Sequence, residues 1–170
     1  MSTARTLPAS LRWLGRPSLS FLRDVVAPAL LVALAAAGLG VSTYLTYTHW
    51  ADQAIVCGGL GNCELVQNSE YATLGPVPIA LLGALMYAGL GGLAFITLWR
   101  RPSEPDWPIL AFWAGALAGT VYSAYLTYLE LFVLEAICVY CVASAGLVTG
   151  SLVVSTAYIL ALPGNPEHRA

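Results

Sequence analysis

Residues 129–141 read Leu-Glu-Leu-Phe-Val-Leu-Glu-Ala-Ile-Cys-Val-Tyr-Cys, and the way this stretch folds decides how many times the chain crosses a membrane. It sits inside an apolar run from Pro108 to Leu162. As a single helix that run would be ~80 Å long at about 1.5 Å per residue. A bilayer core is only roughly 30 Å thick, so the run must turn. No Gly or Pro marks the turn, but Glu130 and Glu135 are the only charges in the run. A charge at the bilayer centre costs at least ~2.5 kcal/mol. The turn is therefore expected between Leu129 and Glu135, giving two spans, the second opening on Cys138 and Cys141.

Two further apolar segments lie upstream, roughly Val25 to Tyr47 and Pro78 to Trp99. About 20 apolar residues suffice to cross a bilayer, so four spans are expected. Composition agrees: 58% of the 170 residues are hydrophobic, 9% are charged, and the mean hydropathy is +0.74. An ordinary soluble domain is about 25% charged. The expected fold is all-α, an integral membrane four-helix bundle over residues 25–162, with tails at 1–24 and 163–170.

Orientation follows from the basic residues. The chain has no Lys, and its seven Arg are Arg5, Arg12, Arg16, Arg23, Arg100, Arg101 and Arg169. They fall in the N-terminal tail, the connection between spans two and three, and the C-terminal tail. Ala51 to Val77 and the turn near Glu130 carry none. By the positive-inside rule both termini are cytoplasmic and the Arg-free loops face outward. Trp50, Trp99 and Trp107 sit where interfacial anchors belong. The Arg are too few and too dispersed for a nucleic-acid surface. Leu7 to Phe21 reads as a basic tail rather than an interfacial helix, because Pro8 and Pro17 interrupt it. The first apolar segment is long and lacks a small-residue cleavage site close behind it, so it reads as a retained span.

The four Cys form two close pairs, Cys57 with Cys63 and Cys138 with Cys141. Both pairs fall at the outward-facing end. Gly58, Gly59 and Gly61 make the first loop pliable. Asn62 is a plausible N-cap for a short helix over Cys63 to Ser69, and Pro78 suits the first position of span two. Cys138 and Cys141, three apart at the start of span four, share one helix face. The helix N-terminus favours a thiolate, so Cys138 is expected to be the more acidic and more exposed thiol. Cys141 is expected one turn deeper. Glu64, Glu70, Glu130 and Glu135 read as solvated charges at a membrane edge.

Three readings of the thiols compete. Membrane Cys can be an inert small apolar residue. Four thiolates can bind zinc, but CxxC with a C-x5-C partner is not a tidy ligand spacing. A dithiol relay, in which the loop pair exchanges disulfide with the deeper pair, accounts for both pairs at one end. The alternative of another class is a non-catalytic membrane protein with structural disulfides.

The order of motifs is more specific. A loop Cys pair is followed by Ser69-Glu70-Tyr71-Ala72, then Gly75-Pro76-Val77-Pro78, then Gly83 and Tyr87 in span two, then CxxC at the last span. This order resembles the vitamin K epoxide reductase family, in particular its bacterial members, over roughly Tyr44 to Thr149. The resemblance implies a quinone, ubiquinone or menaquinone, held in the bundle beside the CxxC. It implies a thioredoxin-like partner outside the cytoplasmic membrane. Many bacterial members carry such a domain fused, and these 170 residues hold none, so a separate protein is expected. Cys57 is implied to face the partner, Cys63 to exchange with Cys138, and Cys141 to adjoin the quinone. Ser69 matches the family's loop serine near the site, and Tyr87 is placed beside the ligand. Ile79 and Ala145 stand where vertebrate members carry an Asn and a Tyr that hold the quinone oxygens. Apolar contact at these positions is therefore implied, and epoxide reduction is not. The DsbB-type oxidase also has four spans and two Cys pairs, but its CxxC comes first, in the first outer loop. Here it comes last.

Overall fold

The computed structural model describes residues 21–57, 61–100 and 105–162. The two tails, including residues 7–20 of the basic segment, and Gly58 and Gly59 lie outside the described residues. A π turn over Leu22–Val26 runs straight into α1, Ala27–Trp50. A short α2, Cys63–Gln67, is followed by one 3-10 turn at Glu70–Ala72 and a minimal hairpin of β1, Thr73–Leu74, and β2, Val77–Pro78. Then come α3, Ile79–Arg100, α4, Trp107–Phe132, and α5, Val139–Ala161. The hairpin is antiparallel, with Thr73 opposite Pro78 and Leu74 opposite Val77, and Gly75 takes a positive φ of 65° at its turn. Pro78 thus ends a strand, and the helix begins one residue later than expected.

Among the described residues four helices are long and apolar enough to cross a membrane: Leu22–Trp50, Ile79–Arg100, Trp107–Phe132 and Val139–Ala161. Their outward faces are apolar, with Leu85, Val121 and Val153 all more than 60% exposed. In water such a surface would be an aggregation liability. In a bilayer it meets lipid, and the helices satisfy their own backbone groups. Hydroxyls on the spans do the same locally. Thr46, Thr97, Thr120, Thr127, Ser151 and Thr156 each donate to the backbone carbonyl four residues earlier.

The helices pack in a ring: α1 against α3 and α5, and α4 against α3 and α5. Lipid tails supply no hydrophobic drive between helices, so close packing and a few polar contacts hold them. Gly38 receives the Tyr87 ring, leaving no room for a Cβ. Gly119 sits under Met86 and Val148, which a Cβ would meet within 3 Å. Tyr87 donates its hydroxyl hydrogen to the Ser144 carbonyl at 2.8 Å, tying α3 to α5, and Trp113 Nε1–H donates to Thr156 Oγ1 at 2.9 Å, tying α4 to α5.

The solid core is not central. Leu31, Ala35, Leu90, Ala94, Ile109, Phe112, Ala116, Val148 and Tyr158 fill the end away from the cysteines. The cysteine end is hollow.

The turn between α4 and α5 falls later than the sequence predicts. α4 continues through Glu130 to Phe132, and the chain reverses over Val133–Ile137 with Glu135 at a φ of +49°. Val133 and Leu134 amides both return to the Leu129 carbonyl, and Ala136 N–H donates to the Glu130 carbonyl at 3.0 Å. Glu130 does not end the helix because its carboxylate has a partner inside the fold.

Candidate functional site: a loop disulfide over a buried dithiol

That partner is the start of α5. Cys138 is the N-cap, extended at φ −101° and ψ 112°, and its N–H donates to Glu130 Oε2 at 3.1 Å. Glu130 is 3% exposed. The reading of Glu130 as a solvated edge charge is therefore corrected: it is walled in by the bundle and caps the next helix. The apolar run held one signal for this. A lone carboxylate inside a span is expected to have a partner, and the other escape, ending the helix, fitted the sequence equally well.

The first loop closes over the same point. A disulfide joins Cys57 and Cys63, whose Cα atoms are 6.2 Å apart. Asn62 caps α2 as expected, its Oδ1 accepting from Leu65 N–H at 3.2 Å. On its other side Asn62 N–H donates to the Ile137 carbonyl at 3.0 Å, and Gly61 pairs with Cys138 as an antiparallel bridge. Gly61 has a φ of +98°, and any Cβ there would collide with the Ile137 carbonyl. It is a docking residue rather than a pliable link. Tyr140 pins the other arm of the loop, its hydroxyl donating to the Val56 carbonyl at 2.9 Å while its ring lies 5.3 Å from that of Tyr44.

Docking changes the expected exposure of the thiols. Cys138 is fully buried at 0%, and Cys63 is 1% exposed; the free Cys141 is the more accessible of the CxxC pair. The expectation that Cys138 is the more exposed thiol is corrected, because Gly61 and Asn62 lie directly on it. A hydrogen bond with the Cys141 thiol holds the Cys138 thiol below its ordinary range. The Cys141 and Tyr140 amides of the first helical turn act the same way, against burial and the Glu130 charge. Glu130, which holds the Cys138 amide, and Cys141 lie on one cavity wall at the head of α5.

Cys141 and Glu130 open onto the hollow end of the bundle, a cavity of about 370 Å³. Small-molecule sites run from roughly 300 to 1,000 Å³ and are mostly apolar with a few polar groups. Leu45, Ile79, Met86, Leu126 and Leu134 supply apolar wall, and Val66, Gln67, Ser69 and Tyr71 from the loop form the lid. Gln67 Nε2 ties that lid to α1, donating to the Leu45 carbonyl at 3.3 Å. Of the residues the sequence singles out, Ser69, Ile79, Tyr87 and Cys141 line the cavity. Ser69 Oγ donates to the Val66 carbonyl at 2.7 Å, and the Tyr87 hydroxyl is taken up by Ser144. Ala145 is not among the lining residues; its neighbour Ser144 occupies that wall. Glu130, Tyr140 and Ser144 are the site residues that sequence reasoning missed.

A four-span bundle with a loop disulfide docked on a free dithiol, and that dithiol open to an apolar cavity, defines a membrane thiol–disulfide oxidoreductase. A family model described as the vitamin K epoxide reductase family matches residues 29–156, and the chain belongs to that family. Its members are membrane oxidoreductases that use quinones. The cavity fits such a group. Its wall is mainly apolar, as a quinone ring requires, Cys141 is part of that wall, and Ser42 and Ser123 add polar residues to it.

Proposed function

We propose that the protein oxidises a separate thioredoxin-like protein on the outer side of the membrane and passes two electrons to a membrane quinone, ubiquinone or menaquinone. One observation carries this reading: the loop disulfide rests on a reduced CxxC whose inner thiol faces the cavity. The Arg-free loops support the outward orientation.

The thiol steps balance. A partner thiolate attacks Cys57 Sγ, and Cys63 leaves as a thiolate. The partner's second thiolate attacks the mixed disulfide, releasing oxidised partner and reduced Cys57. Cys63 Sγ attacks Cys138 Sγ of a Cys138–Cys141 disulfide, freeing Cys141. Cys57 then closes on Cys63 and frees Cys138. The loop disulfide is restored and the CxxC is a dithiol, which is the state in the structure. A bound quinone supplies a two-electron, two-proton acceptor. Cys141 faces it, Ile79 and the other wall residues orient it by apolar contact, and the lid over Val66–Tyr71 excludes water.

Quinone reduction by purified protein, with a reduced thioredoxin-like donor, tests the reading. Turnover is expected in the wild type and lost in Cys57→Ala. Equal turnover in both would rule out the loop relay.

A further inference from the structure

The dithiol carries protons as well as electrons, and one group at its cavity face is placed to move them. Among the described residues Glu130 is the one charged side chain in the buried class. It lines the cavity together with Cys141, and its Oε2 accepts from the Cys138 backbone N–H at 3.1 Å, which fixes the carboxylate at the head of the CxxC. A cap alone does not require a carboxylate, since a neutral acceptor satisfies an N–H equally well. A charged group kept in a span is a functional feature by default.

The geometry points to Glu130 as the proton carrier of the site, taking the Cys141 thiol proton and delivering it to an oxygen of the acceptor held in the cavity. This rests on the quinone-reducing reading above. The balance is complete. Cys138 and Cys141 lose two electrons and two protons and become a disulfide, and the acceptor gains both. The Cys141 proton crosses on the free carboxylate oxygen. The Cys138 proton is released as its sulfur bonds to Cys141, and the same carboxylate carries it in turn and ends as it began. Oε2 stays on the Cys138 amide throughout, so the carrier is held while it works. The other titratable groups lining the space are Cys141 on α5, Tyr122 on α4, Tyr87 on α3 and Tyr71 on the lid, with Cys138 buried at the N-cap of α5. α1 contributes Ser42 and Leu45, which do not titrate. Among the described residues no second carboxylate lines the cavity to replace Glu130.

Glu130→Gln separates carrier from cap, because the amide oxygen still accepts from Cys138 N–H but cannot take a proton. Two readouts are needed on purified full-length protein in detergent. The first is the pH profile of Cys141 alkylation by iodoacetamide, which requires no quinone. Removing the neighbouring negative charge eases thiolate formation, so the midpoint is expected to fall by about one pH unit. The second is single-turnover reduction of a short-chain quinone by pre-reduced protein, expected to slow roughly 100-fold, the scale of one general acid–base group. A more available thiolate with slower quinone reduction supports the carrier. Both readouts unchanged would make Glu130 only a cap, and both faster would make it only an electrostatic brake; either overturns the proposal. If Glu130→Gln does not fold, infrared difference spectra of the wild type decide. A buried carboxylic-acid band should appear while quinone is being reduced and vanish when reduction ends, and its absence throughout overturns the carrier. Wild-type protein that never reduces quinone fails the parent reading instead, whatever the alkylation profile shows.

Discussion

Gly61 and Cys138 pair backbone to backbone, and this bridge sets the loop disulfide on the start of α5. Asn62 N–H reinforces it by donating to the Ile137 carbonyl at 3.0 Å. The contact between the two redox pairs is therefore built from main chain, with Gly61 supplying a φ of +98° that a side chain resists.

Gly61→Ala should uncouple the loop from the CxxC. Forcing a Cβ into this conformation costs about 1–3 kcal/mol, and it also strikes the Ile137 carbonyl. Electron transfer from the loop should slow about ten-fold or more, since about 1.4 kcal/mol is a factor of ten. Stopped-flow quinone reduction checks this with two donors. A thioredoxin-like donor should show the defect, and a small dithiol that reaches the CxxC directly should not.

Tyr140 holds the arm before Cys57 by one hydrogen bond, and its ring rests on that of Tyr44 in α1. Tyr140→Phe removes only the bond to the Val56 carbonyl, a net loss of about 0.5–1.5 kcal/mol. Amide exchange over Ile55–Cys57 should accelerate by about three- to ten-fold. Tyr140→Ala should accelerate it further. Exchange rates equal to wild type in both variants would show that the arm is held elsewhere.

The acidity of Cys138 depends first on the Cys141 thiol. A lowered ionisation point means that the thiolate persists at a pH where a free Cys is still protonated, and is lost as pH falls through that point. Cys141→Ala removes the largest cause, so Cys138 should ionise at higher pH. Cys141→Ser keeps a donor and should shift it less. Thiolate ultraviolet absorbance against pH measures both.

Gly38 lies against the Tyr87 ring with no space for a methyl group. Gly38→Ala should destabilise the bundle by about 1–3 kcal/mol through overpacking. Thermal unfolding in detergent should show a lower Tm. Tyr87→Phe keeps the ring but loses the hydroxyl bond that ties α3 to the Ser144 carbonyl of α5, and should cost about 1 kcal/mol.

The spans were legible because a bilayer imposes length and apolarity on them, and their ends fall within a few residues of Val25, Trp99, Pro108 and Leu162. The dithiol and its place at the head of the last span were legible from spacing. Two features were not. Glu130 looks like an edge charge until its partner, eight residues on and across a turn, is known. The burial of Cys138 depends on a loop that returns from more than 70 residues upstream, and no local pattern encodes that docking. Asn62 was readable because a cap is a local arrangement, whereas Tyr140 reaching Val56 is not.

The central claim is that electrons leave the protein through the thiol at the cavity. The most direct measurement is quinone reduction by Cys141→Ala, alongside mass mapping of its Cys57–Cys63 bond. Loss of quinone reduction with the loop disulfide still formed is the predicted result. Turnover at the wild-type rate would contradict it.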